Sequence, residues 1–135
     1  MRPSGTPLLS VIVPCRNAGN DLFQCAQSIE NQNVACEAIF VDDASVDSAF
    51  SELENTKKAC PEFRFLHHDR HRGVAAARNT GLAVARGKYI GFCDADDLFT
   101  PGMSEKMISA LEKDESDCAV CRIVRDGEKS TEPLD

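Results

Sequence analysis

Residues 89–97 read Tyr89-Ile90-Gly91-Phe92-Cys93-Asp94-Ala95-Asp96-Asp97, an apolar run that passes directly into three acids. A short, continuously apolar run of this kind is the pattern of a buried strand, and ionisable groups mark where it must stop. Two further apolar runs upstream are cut off as abruptly, one by acids and one by a proline. Ala38-Ile39-Phe40-Val41 is halted by Asp42-Asp43, and Leu8-Leu9-Ser10-Val11-Ile12-Val13 is ended by Pro14 and followed by Cys15-Arg16-Asn17. Residues 63–67 form a further strand run, and 118–124 a last one.

Between these runs the apolar spacing changes to that of helices. Leu22, Cys25, Ala26 and Ile29 form a stripe, with Asn20 or Asp21 as cap. Residues 45–60 are expected to be helical up to Pro61, with Asp47 or Ser48 near the start. Residues 74–86 are Ala-rich and closed by Gly87, where a left-handed cap would sit. Residues 101–113 are helical with Pro101 in the first turn. Regular alternation of strand and helix predicts an α/β fold, a doubly wound, mostly parallel sheet with helices on both faces. The expected limits are a loose leader over 1–7, one α/β domain over 8–124 and a polar tail over 125–135. Ligands in such sheets sit beyond the carboxyl ends of the strands. The residues at 14–17, 42–43 and 94–97 all fall there.

A length of 135 residues suits one domain with one core. A net charge of −7 argues against a general nucleic-acid binder, which needs a basic footprint. No run approaches the roughly 18 apolar residues of a membrane span. Seven cysteines cannot all pair within one chain, and most lie in apolar runs, which points to reduced thiols and a cytoplasmic setting. Cys118 and Cys121 lack a second ligand pair at zinc-finger spacing and are read as two buried or half-buried thiols.

The acids carry the chemistry. Asp94 and Asp96, two apart across a tight turn, can face one point, and a hard divalent cation such as Mn²⁺ or Mg²⁺ would relieve their mutual repulsion. Asp43 can accept hydrogen bonds from a base N–H or ribose hydroxyls. With its side chain pointing past the sheet edge, its replacement would weaken nucleotide binding and leave the fold intact. Residues 71–79 place a glycine loop and a helix start at the same edge, with orphan amides that favour an anion and Arg78 one turn in. His67, His68 and His71 lie on a strand end and loop with no second ligand cluster, and are not read as a metal site.

Four blocks in order, Ser10-Val11-Ile12-Val13-Pro14-Cys15-Arg16-Asn17, Phe40-Val41-Asp42-Asp43-Ala44-Ser45-Val46-Asp47, Gly73-Val74-Ala75-Ala76-Ala77-Arg78-Asn79-Thr80-Gly81 and Gly87-Lys88-Tyr89-Ile90-Gly91-Phe92-Cys93-Asp94-Ala95-Asp96-Asp97, resemble glycosyltransferase family 2. The resemblance covers roughly residues 8–102 and implies a GT-A fold that binds a nucleoside-diphosphate sugar, usually UDP-linked. It implies that Asp43 accepts from the base and that Pro14 and Asn17 shape the loop beside it. Arg78 would stand near the base or pyrophosphate, and Asp94 near the ribose or sugar. Asp96, with Asp94, would hold the Mn²⁺ or Mg²⁺. Arg16 stands where the family often has an aromatic, and a guanidinium also stacks on a base.

Family members invert at the anomeric carbon and need a general base, which lies in an acceptor-binding half after the Asp-x-Asp loop. The acceptor would be a carbohydrate or lipid-linked hydroxyl, and a longer form could work at the inner membrane face. No catalytic residue is expected within these 135 residues, which are read as the donor-binding half. The alternative is a nucleotide-sugar-binding domain without catalysis. A nicotinamide-binding domain is excluded by the missing Gly-x-Gly-x-x-Gly. A phosphatase or phosphoacceptor domain would carry its acids on the first strand.

Overall fold

Seven consecutive buried residues make β1 (Leu9–Cys15) the centre of the sheet. The computed structural model describes residues 5–121, so 1–4 and 122–135 lie outside it. After β1 follow α1 (Asp21–Glu30), β2 (Cys36–Asp42), α2 (Ala49–Lys57), β3 (Phe63–His67), α3 (Val74–Val84), β4 (Tyr89–Phe92) and α4 (Met103–Asp114). The strands lie in the order β3-β2-β1-β4, and every pair is parallel. All four carboxyl ends therefore share one edge, as the doubly wound reading requires.

Alternation along the strands gives each face its own core. Leu9, Val11, Val13 and Cys15 of β1 join Ala38 and Phe40 of β2 beneath Leu22, Cys25 and Ile29 of α1, Phe50 and Leu53 of α2, and Ile108 of α4. On the other face Ile12, Ile39 and Val41 meet Ala77 of α3. Phe40 stacks on Phe63 and Phe65 of β3 at 5.7 and 5.5 Å between ring centroids, and Phe50 meets Phe65 edge-on. Among the described residues no helix is long and apolar enough to cross a membrane.

Several boundaries differ from expectation for local reasons. β1 runs through Pro14 to Cys15. The Cys93 amide bonds the Ile12 carbonyl on one side of β1, and the Asp43 amide bonds the Cys15 carbonyl on the other. Alternation turns Pro14 toward β4, one step beyond the last pairing of Ile12 with Phe92, where its missing N–H costs nothing. Residues 45–48 are loop because side chains capture their amides. Asp42 Oδ1 takes Ser45, and Asn17 Oδ1 takes Val46 at 2.8 Å. α4 starts after Gly102, whose φ of 77° keeps Pro101 outside the helix.

Gly87 is not a left-handed cap. α3 ends at Val84, and Gly87 is needed because a Cβ there would lie 2.6 Å from the Ser10 backbone nitrogen. Residues 118–121 form no strand, and 122–124 lie outside the described residues. Cys118 and Cys121 are exposed rather than buried.

Gly81 lets α3 approach β1. A Cβ there would lie 2.5 Å from Cγ2 of Ile12, which is fully buried. Alanine improves helix propensity by about 1 kcal/mol, but overpacking a tight core costs about 1–3 kcal/mol. Gly81→Ala is expected to lower stability in urea unfolding, and a stabilised variant would show that α3 moves away freely.

Candidate donor site at the carboxyl edge

The β1–α1 and β2–α2 loops are stitched together at the edge. Asn17, in a left-handed conformation with φ of 51°, receives the Val46 amide on its side chain and gives its own amide to Ser45 Oγ. Gly19 N–H donates to Asp47 at 3.1 Å. Asn17 thus shapes the loop, while Pro14 is buried in β1 and Arg16 is exposed beside it.

Asp43, directly after β2, does not project past the edge. It is 3% exposed. Its Oδ1 accepts from His68 Nδ1 at 2.9 Å and from the Arg72 amide at 2.8 Å. Its Oδ2 accepts from His71 Nδ1 at 2.6 Å and from the Gly73 amide at 2.9 Å. Burial alone would push this carboxyl up, but the His68, Arg72, Gly73 and His71 donors outweigh it and hold the pKa well below the carboxylate range. From the sequence both histidines are weighed only as metal ligands, with no part beside Asp43. The signal available was their place after β3, the strand that pairs with β2 and brings its following loop against Asp43. His68 is anchored at its other nitrogen, 2.8 Å from Thr80 Oγ1 on α3.

Asp94 and Asp96 lie on the exposed turn beyond β4. Arg78, from α3, reaches Asp94 Oδ1 at 3.1 Å and lies over the Phe92 ring at 5.9 Å. The structure therefore brings Arg78 and Asp94 together. Below the turn the buried thiols of Cys25 and Cys93 touch at 3.7 Å. Burial, then the charges of Asp96 and Asp94, raise the pKa of Asp97. Among the described residues no three acidic, cysteine or histidine side chains converge into a cage. An exposed pair of hard oxygen donors in a crowded negative field fits Mg²⁺ or Mn²⁺, which take one or two carboxylates and complete their shell with phosphate and water.

A parallel sheet with loops and acids gathered at its carboxyl edge is common to several nucleotide-binding and phosphoryl-transfer folds, and comparison with known proteins identifies this one as GT-A. The family model described as glycosyl transferase family 2 matches residues 10–133, and the chain belongs to that family. It is 38% identical over 119 residues to the uncharacterized glycosyltransferase YibD of Escherichia coli, covering 87% of this chain and 34% of that protein. It is 31% identical to the putative glycosyltransferase EpsH of Bacillus subtilis, over 96% of this chain and 38% of that protein. The chain thus spans about a third of the length of these relatives.

Among solved structures, S. aureus TarS 1–349 in complex with UDP superposes with a TM-score of 0.80 at 22% identity, covering 92% of this chain and 38% of that one. The mannosyltransferase PcManGT from Pyrobaculum calidifontis, in complex with GDP-Man and Mn²⁺, gives 0.63 at 29% identity, covering 71% and 29%.

Proposed function

We propose that this chain is the donor-binding part of an inverting, metal-dependent glycosyltransferase that uses a nucleoside-diphosphate sugar, UDP-linked by preference. The observation that carries the reading is the shared edge, where the stitched loops at Asn17, the buried carboxylate of Asp43, the Arg78–Asp94 pair and Asp96 stand at the ends of adjacent strands. In this reading Asp43 faces the base, with Pro14, Arg16 and Asn17 forming the adjoining wall. Arg78 and Asp94 flank the ribose and pyrophosphate. Asp96, with Asp94, holds Mn²⁺ or Mg²⁺. When bound, the ion offsets the diphosphate charge and stabilises it as leaving group. Arg78, which pairs with Asp94 at 3.1 Å, would turn its guanidinium toward phosphate once Asp94 served as a metal ligand.

In this reading no residue of this chain serves as the general base or holds the carbohydrate or lipid-linked acceptor. Asp97, beside the proposed metal ligands, would orient that turn. The acids at the end of α4 stand at the wrong edge. Tyr89, at the start of β4, donates to Glu112 at 2.9 Å, so this end of α4 lies opposite Asp94 and Asp96.

UDP is expected to bind measurably with Mn²⁺ and much more weakly in EDTA, as read by calorimetry. Incubation with UDP-sugars, Mn²⁺ and sugar acceptors is expected to give slow UDP release without glycoside product. Equal affinity in EDTA would remove the metal from the site. Efficient product formation would place a general base within this chain.

A further inference from the structure

The Asp43 carboxylate has about four acceptor positions, and the protein itself fills them with four N–H donors. A base N–H can reach this group only if one of them leaves. Two are backbone amides, of Arg72 and Gly73, fixed by the entry into α3. The third, His68, has a side chain 4% exposed and is held between Asp43 and Thr80. The fourth is different. His71 is 54% exposed on its side chain, while the carboxylate it donates to is 4% exposed.

We infer that His71 is an exchangeable internal donor, occupying the Asp43 oxygen that a nucleobase imide takes, and yielding it when the donor nucleotide binds. This rests on the donor-binding reading above and adds a specificity-determining residue to it. Oδ2 then passes from imidazole N–H to base N–H while the Gly73 amide stays in place. A ligand displaces His71 only if it brings an N–H of its own, because a base without one leaves the carboxylate short of a partner. The exchange therefore lowers affinity for bases that bring an imide N–H, each of which replaces a bond already made, and leaves bases without one little affected. His71 is a positioning residue that acts through Asp43.

The test is calorimetry of UDP and of 3-methyluridine diphosphate, both with Mn²⁺, on the wild-type chain and on His71→Ala. Removal of the competing donor is expected to tighten UDP binding about three- to tenfold, the worth of one hydrogen bond. The methylated analogue, which carries no imide N–H, should gain little. Unchanged or weakened UDP binding would overturn the exchange, as would an equal gain for both ligands.

An NMR titration of the wild-type chain guards against a variant that folds poorly. Saturation with UDP is expected to shift the His71 ring nitrogens to values for an imidazole in water and to leave those of His68 in place. Ring signals of His71 that do not move while UDP binds would equally overturn the exchange. If neither wild type nor variant binds any nucleoside diphosphate, the donor-binding reading itself falls.

Discussion

Asp43→Ala is expected to lower the unfolding free energy by about 3–5 kcal/mol, the range for removing one member of a buried charged cluster. The size follows from what stays behind. The His68 ring N–H and the amides of Arg72 and Gly73 all lose a charged acceptor, and His68 is too buried to turn to water. Asp43→Asn should lose less, about 1–3 kcal/mol. Its carbonyl oxygen still accepts on one side, while its amide group faces two donors on the other. Urea unfolding followed by circular dichroism measures both. A loss below about 1 kcal/mol in each would mean that the four donors are satisfied elsewhere and that the carboxylate serves ligand alone. The sequence had suggested an aspartate free of the fold. The structure makes it a hub of the edge, so nucleotide affinities of Asp43 variants must be compared under conditions where the variants remain folded.

A comparable loss, about 3–5 kcal/mol, is expected for Glu37→Ala on β2. Glu37 is 1% exposed. It accepts from Ser10 Oγ at 2.5 Å and from the Arg86 amide at 2.7 Å, with the guanidinium groups of Arg64 and Arg86 nearby. The Gly87 amide closes the cluster on Ser10 Oγ. Burial pushes the Glu37 carboxyl up, but the Ser10 and Arg86 donors outweigh it and leave its pKa lowered.

Asp43 and Glu37 thus both titrate lower in the folded chain than in the unfolded one. Their stabilising contribution is complete above the unfolded values near ~4 and is lost as pH falls toward the folded ones. Stability is therefore expected to decline from about pH 5 downward, and Glu37→Gln should flatten that decline. An unchanged slope in the variant would place the acid sensitivity in other groups.

The fold was largely legible because its strands announce themselves. Val11, Ile12 and Val13 or Ile39, Phe40 and Val41 are apolar on both faces, as buried parallel strands must be. What misled was side-chain chemistry that overrides local pattern. Asn17 holds residues 45–48 out of α2 by taking the Val46 amide from a loop 29 residues away. Gly87 looked like a helix cap and is a close-approach residue against β1. Glu37, the second residue of β2, is a charged residue that no apolar pattern admits, and only its partners on β1 and after α3 explain it. The acids of the candidate site were visible because each follows a strand. The filling of Asp43 was not, since it depends on β3 lying beside β2, a fact of strand order rather than of spacing.

The central position of β1 also bears on how the chain is made. One rim of β1 finds its partner in β2 soon after synthesis, but the other waits for β4, with Leu9 meeting Tyr89 roughly 80 residues later. At about 5–20 residues per second, that rim stays open for about 4–16 s on the ribosome. During that interval the growing polypeptide offers an apolar strand with unmet amides and carbonyls, next to a Glu37 whose Arg86 and Gly87 neighbours do not yet exist. β1, β2 and β3 with α1 and α2 can assemble first, and α3 and β4 close the second face afterwards. The nascent protein thus has a built-in vulnerable period, set by topology, in which holdase chaperones and stray strands compete with β4 for the same hydrogen bonds.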